Sequence, residues 1–256
     1  MQVRVLGAHN LETSSTHHTC FLIDGVLAID AGSLVSTLTA DEQLALRDVL
    51  LTHLHFDHTR DIPTLGLATL NAPTSVDIHS LRFTLDSVRK LLVDGEIYPD
   101  LTRGLNDVPP ALHFHAIDGH EVLSLNGYEV KPIAVQHPVP TVGYIVRRGD
   151  DCVAYTGDTG GGLLPFMEDA MAPSVVFVDV TFPNALEGRA RISGHLTPAL
   201  LREQLLGAQR AGATIPKIVP VHMSLEHQSD TLKELAVVQT ELRVDMEPGY
   251  EGMVMG

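Results

Sequence analysis

The sequence of 256 residues has no tryptophan, two cysteines, and 17 lysines and arginines against 32 aspartates and glutamates. Two cysteines exclude a disulfide-stapled scaffold, and their apolar surroundings predict that Cys20 and Cys152 are buried free thiols. The formal net charge of −15 argues against a long nucleic acid as partner, because polyanion-binding surfaces are normally basic. With no apolar run near the roughly 20 residues of a membrane span and no signal-peptide pattern, we expect a cytoplasmic protein without membrane contact.

The composition is otherwise that of a globular protein, with 44% hydrophobic residues, 19% charged residues and an excess of 14 histidines. Runs rich in valine, isoleucine and aromatic residues alternate with segments of helical spacing. The predicted strands cover residues 2–8, 19–24, 27–30, 49–52, 76–79, 111–117, 129–135, 143–148, 152–155, 175–180 and 218–221. Gly25 and Asn126-Gly127 predict hairpin turns.

Helices are predicted from capping residues and apolar spacing. The first helix begins after Thr39, which opens a capping box, and ends at about 48, and the second begins at Leu81, capped by Ser80, and ends at about 93. The third begins at Thr197-Pro198 and ends at about 212, and the fourth begins at 229 or 230 and ends at about 242. Strands followed by helices, with antiparallel hairpins, predict an α/β or α+β layered fold. Because no stretch of the sequence has the composition of a linker, we expect one domain over 1–256, with halves at about 1–118 and 121–256.

Potential metal-ligand side chains are most concentrated in residues 52–58, Thr-His-Leu-His-Phe-Asp-His, which directly follow an apolar strand. Imidazole and carboxylate groups are ligands for zinc, iron and manganese. In an extended loop His53 and His55 point to the same side, whereas a helix beginning near Asp57 would turn Asp57 and His58 toward a second ion. Because four polar groups at the end of a buried strand need a partner, the run is interpreted as a loop that serves two metals.

The run matches an HxHxDH signature, and here the sequence resembles the metallo-β-lactamase superfamily. Further matching motifs follow predicted strands, namely Gln-His-Pro, Gly-Asp-Thr and Val-His-Met. The resemblance implies a four-layer αββα sandwich of two mixed sheets flanked by helices, with two divalent ions, zinc in the first place and manganese or iron as alternatives. It implies that His53, His55 and His137 bind one ion, that Asp57, His58 and His222 bind the other, and that Asp158 bridges both. Asp30 resembles the family's aspartate that supports the metal loop, and a strand-end turn residue is the alternative.

A second group of motifs resembles the phosphodiesterase branch of this superfamily, shared by tRNA 3′-processing endonucleases and class II cyclic nucleotide phosphodiesterases. Ser-Gly-His-Leu-Thr-Pro, residues 193–198, is similar to the branch's extra histidine motif. The resemblance implies that His195 contacts the phosphate or protonates the leaving oxygen. The segments that contain Tyr144, Thr181 and Asn184 look like class II enzymes and imply substrate contacts at these three residues.

These resemblances predict a dinuclear metal-dependent phosphodiester hydrolase that converts 3′,5′-cyclic nucleotides, cAMP or cGMP, to 5′-monophosphates. A hydroxide shared by the ions would attack phosphorus in line, with Asp57 orienting it and His195 protonating the leaving oxygen. The expected partner is a small anionic phosphodiester, and resemblance to this branch implies a homodimer. The alternatives are another small phosphodiester such as a 2′,3′-cyclic nucleotide, a lactone or ester, and a relative that binds metal without catalysis.

The remaining histidines are assigned structural or surface positions. They are His9, His17, His18, His79, His113, His115, His120 and His227. His17 and His18 are the best candidates among them to join the pocket, because they lie in a Ser/Thr-rich loop before a strand.

Overall fold

Two β-sheets face each other in the computed structural model, which describes residues 1–70, 72, 75–104, 108–118 and 121–256. The described strands of the first sheet are β1 (Val3–Gly7), β2 (Cys20–Ile23), β3 (Leu27–Ile29), β4 (Asp48–Leu50), β5 (Val76–Leu81), β6 (Leu112–Ile117) and β13 (Val254–Met255). Those of the second sheet are β7 (Leu123–Leu125), β8 (Tyr128–Ala134), β9 (Val142–Arg148), β10 (Asp151–Tyr155), β11 (Val175–Asp179) and β12 (Lys217–Val221). Their spatial orders are β13-β1-β2-β3-β4-β5-β6 and β12-β11-β10-β9-β8-β7.

Helices cover the outer faces of both sheets. In the described chain they are α1 (Leu34–Thr37), α2 (Ala40–Ala45), α3 (Phe56–Thr59), α4 (Ile62–Thr69), α5 (Arg82–Leu91), α6 (Leu164–Met167), α7 (Glu187–Ser193), α8 (Pro198–Ala211) and α9 (Gln228–Leu242). Over the described residues, no helix has both the length and the apolar character needed to cross a membrane.

Alternation of side chains along each strand divides the core into three layers. In β2, Phe21 points between the sheets while Leu22 packs toward the helices of the first sheet. In β10, Tyr155 points between the sheets while Ala154 packs toward the helices of the second. The ring of Phe21 joins the sheets, with centroids 4.8 Å from Tyr155 and 4.7 Å from Phe177. The predicted four-layer αββα sandwich is confirmed.

Several local predictions are confirmed as well. Asn126 and Gly127 both have positive φ, 47° and 90°, as a type I′ hairpin turn requires. Thr39 forms both halves of its capping box with Glu42, and the Thr197 side chain accepts a backbone N–H at the start of α8. The two cysteines are buried and unpaired.

Two helix boundaries were predicted wrongly. Ser80 does not cap α5, because it lies in β5 and its hydroxyl donates to the Leu51 carbonyl at 2.7 Å. The helix after Thr39 ends at Ala45 instead of about 48, because Asp48 already pairs in the first sheet. Short elements such as α1, α7, β7 and β13 were missed, since a few residues carry too little periodicity to reveal them.

Candidate metal centre

Loops that leave β4, β8, β10, β11 and β12 meet at one edge of the sandwich. The loop after β4 carries His53 and His55 and then enters α3, which presents Asp57 and His58. Parallel pairing of β10, β11 and β12 aligns their carboxyl ends, so that the residues that follow these strands lie close together.

Among the described residues, side chains with metal-ligand chemistry form three overlapping groups here, within each of which all ligand atoms lie within 4.8 Å of one another. One group, Asp158, Asp179, His195 and His222, shares two residues with the second of the clusters named next. The first cluster is His53, His55, His137 and Asp158, and the second cluster is Asp57, His58, Asp158 and His222. The structure thus brings together the seven residues that the motifs singled out, and Asp158 belongs to both clusters.

In the first cluster three imidazole nitrogens converge on one point. His53 Nε2 lies 3.0 Å from His55 Nδ1 and 3.7 Å from Asp158 Oδ2. His137 Nε2 lies 3.2 Å from the same His55 atom. His53 has no exposed surface, whereas His55 and His137 are partly exposed, so the first cluster is open to a bound molecule from one side.

The second cluster is richer in carboxylate. Asp158 presents Oδ2 to His58 Nε2 at 3.3 Å and Oδ1 to His222 Nε2 at 3.5 Å. Asp57 Oδ2 lies 3.4 Å from His222 Nε2 and 3.6 Å from His58 Nε2. The Asp57 side chain is 28% exposed while that of Asp158 is 2% exposed, so Asp57 is the carboxylate that an incoming molecule can reach.

Two buried atoms show that divalent cations fit these residues. His58 Nε2 and Asp158 Oδ1 are both buried without a hydrogen-bond partner. Such atoms are costly to bury unless something else binds them. Nitrogen and oxygen donors of this kind are ligands for zinc, manganese and iron.

Each histidine that presents Nε2 to the clusters is held from behind at its other nitrogen. The partners of Nδ1 are the Thr52 hydroxyl for His53 (2.9 Å), the Asp30 carboxylate for His58 (2.7 Å), the Gly194 carbonyl for His137 (2.9 Å) and the Thr181 hydroxyl for His222 (2.9 Å). Contacts of this kind keep the hydrogen on Nδ1 and orient the ring, which leaves Nε2 free to bind a metal.

Asp30 organises the loop after β4 from a fully buried position. Besides His58, its carboxylate accepts the Thr52 backbone N–H at 2.8 Å and the Thr52 hydroxyl at 3.0 Å. Asp30 therefore holds this loop at both ends, which agrees with the support that the family resemblance implied.

Gly32 lets the backbone of α3 lie directly against the turn after β3. A Cβ atom at this position would stand 1.9 Å from the Asp57 carbonyl oxygen, which is backbone and cannot swing away. We expect Gly32→Ala to destabilise the protein by at least about 2 kcal/mol and to reduce metal binding, measured by thermal unfolding and metal content. Gly207→Ala, a helix position with open space, is the control and is expected to be neutral or stabilising. Unchanged stability and metal content in Gly32→Ala would contradict this account.

His195 lies beside the second cluster and is oriented by Asp179. Its Nδ1 is 2.7 Å from Asp179 Oδ2, and its ring stacks on that of His222 with centroids 5.3 Å apart. Asp179 is fully buried and also accepts the Thr181 hydroxyl at 2.6 Å and the Thr159 backbone N–H at 2.9 Å. With Nδ1 engaged, Nε2 is the nitrogen that His195 offers to a bound molecule.

Buried charges shift the pKa values of these side chains. Burial opposes protonation of His58, but the neighbouring carboxylates, Asp158 first, raise its pKa well above the usual value. Burial also lowers the pKa of His222, but Asp158 and hydrogen bonds to carboxylates have the larger effect and raise this pKa to about 10. Asp179 likewise overcomes burial and raises the pKa of His195.

The first cluster shows the opposite effect. Burial, followed by repulsion from neighbouring imidazoles, lowers the pKa values of His53 and His55, and burial also lowers that of His137. These rings are therefore neutral near pH 7, the form that binds metals. Burial favours the neutral form of Asp158, but positive His222 and His58 lower its pKa well below the usual value.

The structure corrects two of the three expected substrate contacts. Tyr144 has no exposed surface, points between the sheets and donates to a backbone carbonyl after β4, so it does not reach the site. Thr181 is also fully buried and lies behind His222 and Asp179. The side-chain oxygen of Asn184 accepts a backbone N–H in the first turn of α8 at 2.7 Å. Tyr144 and Thr181 therefore belong to the scaffold of the site, whereas Asn184 is partly exposed and its contact with substrate stays a prediction.

His17 and His18 lie near the centre, and among the described residues neither belongs to a cluster with metal-ligand geometry. His17 Nδ1 lies 3.5 Å from Glu12 Oε1, and His18 Cβ stands against Gly32. The prediction for His120 falls outside the described residues.

Sequence reasoning missed Asp179 as an orienting group. A signal was available, because Asp179 is a carboxylate near the end of the otherwise apolar predicted strand 175–180, and Asp158 likewise lies just after a predicted strand. The contact between His137 and the Gly194 carbonyl had no comparable signal, since it depends on the left-handed backbone of Gly194, with φ of 70° after α7.

Two facing mixed sheets with His/Asp clusters at the strand ends define an αββα sandwich with a candidate metal centre. A model of the beta-lactamase superfamily domain matches residues 19–223, and the chain belongs to this superfamily.

Similar proteins agree with this assignment. The structure of unliganded yeast PDE1 has a TM-score of 0.83 at 17% identity over 99% of this chain and 98% of that one. The metallo-beta-lactamase fold protein YhfI from Bacillus subtilis has a TM-score of 0.75 at 19% identity over 99% and 98%. Ribonuclease Z of Thermococcus kodakarensis is 28% identical over 105 residues, 40% of this chain, and the match spans only 30% of that relative. At such identities the structural likeness establishes the fold.

Proposed function

We propose that the protein is a dinuclear metal-dependent phosphodiester hydrolase that cleaves 3′,5′-cyclic nucleotides to 5′-monophosphates. The observation that carries the proposal is His195, oriented by buried Asp179 beside two adjacent clusters that share Asp158. Similarity to a protein named ribonuclease Z supports cleavage at a phosphodiester.

The first and second clusters would each hold one divalent ion, zinc in the first place and manganese or iron as alternatives. Such an ion pair neutralises the phosphoryl oxygens and lowers the pKa of a water nucleophile. Asp57 orients the attacking water, because it is the partly exposed carboxylate of the second cluster and can accept a hydrogen bond from that water.

His195 supplies the proton for the leaving group. Asp179 keeps a hydrogen on Nδ1, stabilises the positive ring, and leaves Nε2–H directed at a bound molecule. The sugar oxygen that departs from a cyclic nucleotide is a poor leaving group as an alkoxide, so a positioned acid is needed. The motif that contains His195 resembles the phosphodiesterase branch of the superfamily, which favours a phosphodiester over an ester or lactone.

Product analysis tests the function directly. Metal-loaded protein is incubated separately with 3′,5′-cyclic AMP, 2′,3′-cyclic AMP, bis(p-nitrophenyl) phosphate and a γ-lactone, each with and without chelator. We expect 5′-AMP from the first substrate and loss of turnover with chelator. Turnover of the other diesters alone would move the proposal to another small phosphodiester. Turnover of the lactone alone, or of nothing with both metals bound, would refute it.

A further inference from the structure

A narrow apolar groove of about 300 Å³ opens beside the first cluster. One wall comes from the loop after β4 and the start of α3, with Leu54, His55 and Phe56. The other comes from α5 and the residue after it, with Val88, Leu91 and Leu92. Among the described residues that line the groove, none is an Asp, Glu, Lys or Arg, and His55 is the one histidine.

The groove is continuous with the metal centre through one ring. His55 Nδ1 faces His53 Nε2 at 3.0 Å and His137 Nε2 at 3.2 Å, and His55 is also one of the residues that line the groove. His55 is therefore the residue that the first cluster and the groove share, and the groove is an apolar surface next to the place where a phosphate would be held.

Two large apolar side chains at the groove remain in contact with solvent. Phe56 is 61% exposed and Leu91 is 54% exposed, although they come from different elements. Single exposed apolar residues are ordinary, but two that converge on a groove at a reactive centre indicate a binding surface. A volume at the lower end of the roughly 300–1,000 Å³ of ligand pockets suits one ring system.

We propose that this groove is the subsite for a planar aromatic ester group of the substrate, such as a nucleobase. The inference rests on the proposed function, because that function places the substrate phosphate at the two clusters. The aromatic group stacks on Phe56 in an offset or edge-to-face arrangement, and Val88 and Leu91 cover its other side.

The polar side chains in the groove are already engaged. The Ser87 hydroxyl donates to the Phe83 carbonyl at 2.8 Å, and the Thr59 hydroxyl donates to the His55 carbonyl at 3.0 Å. Binding at the subsite is therefore expected to depend on the planarity and apolar area of the group, and not on hydrogen bonds to the edge of a base. Adenine and guanine nucleotides are expected to bind with similar affinity.

Binding of two monoesters tests the subsite without requiring turnover. The Kd values of phenyl phosphate and methyl phosphate are measured by calorimetry on metal-loaded wild type, Phe56→Ala, Leu91→Ala and Phe83→Ala. We expect roughly tenfold tighter binding of phenyl phosphate to wild type, and a ratio near one in the first two variants. Phe83→Ala removes an exposed aromatic ring from α5 outside the groove and is expected to keep the wild-type ratio.

The results with these variants distinguish failure of the subsite proposal from failure of the proposed function. Leu91→Ala lies outside the metal-binding loop, so it remains informative where Phe56→Ala loses metal. An equal Kd ratio in all four proteins, with diester turnover intact, would refute the subsite and leave the function. A phenyl preference that Phe56→Ala removes, in a protein without diester turnover, would support the subsite and refute the function. A dimer that Phe56→Ala dissociates, with the Kd ratio unchanged, would assign the groove to a second copy and overturn the proposal.

Discussion

Replacing Asp158 by asparagine is expected to reduce phosphodiester turnover by at least about 1,000-fold. Asp158 is the one residue common to both clusters, and its two carboxylate oxygens face different histidines, His58 at 3.3 Å and His222 at 3.5 Å. An amide of the same shape keeps one oxygen but loses the negative charge that Asp158 would present to a cation in either cluster. Metal content should fall from two ions per chain to one or fewer.

The measurement combines turnover of bis(p-nitrophenyl) phosphate with metal analysis of the same samples. Asp77→Asn is the matched control, because Asp77 is a partly exposed carboxylate on β5 that pairs with His115 outside both clusters. Chelator should lower the melting temperature of wild type more than that of Asp158→Asn, since ions that bind only the folded state stabilise it. Two retained ions with wild-type turnover in Asp158→Asn would contradict the shared site.

Replacing His195 by alanine is expected to lower kcat by about 100- to 10,000-fold for substrates with poor leaving groups. The loss should be much smaller for p-nitrophenyl esters, because p-nitrophenolate departs without a proton. Asp179→Asn should reproduce part of the effect, since asparagine no longer stabilises the positive ring at 2.7 Å. Because His195 acts on the proton, the metal content of His195→Ala is expected to match that of wild type.

The leaving-group comparison makes this prediction specific. Rates with 3′,5′-cyclic AMP and with bis(p-nitrophenyl) phosphate are measured for both variants and for His113→Ala, a histidine on β6 outside the clusters. The control should match wild type on both substrates. An equal loss on both substrates in His195→Ala, or loss of metal, would show that His195 acts on the structure of the centre and not as the acid.

A site residue could be predicted from the sequence when the residues that reveal its role lie close to it along the chain. His53, His55, Asp57 and His58 share one short loop, so their spacing and the strand before them sufficed to predict that they converge. Thr39 and Thr197 cap helices through contacts three residues away, and these predictions held. His137, Asp158 and His222 came from family resemblance, because nothing in their own neighbourhoods distinguishes them from turn residues.

Tyr144 shows why other assignments failed. In β9 both faces are apolar, with Val142 and Val146 on the side of Tyr144 and Ile145 on the other. A strand covered on both sides has no polar face, so its sequence pattern cannot tell which side chains point between the sheets. The assignment depended on pairing with strands far away along the chain.

Most of the longer strands and helices, the loop of histidines, the free thiols and the superfamily could be predicted from the sequence, because these depend on neighbours within a few residues or on motif order. Only the tertiary structure decided the pairing of Asp179 with His195, the contact of His137 with Gly194, and the groove between Phe56 and Leu91. These contacts join segments that sheet register and helix packing bring together, and burial sets their charge and exposure. Such quantities belong to the folded chain and have no counterpart in a local pattern of residues.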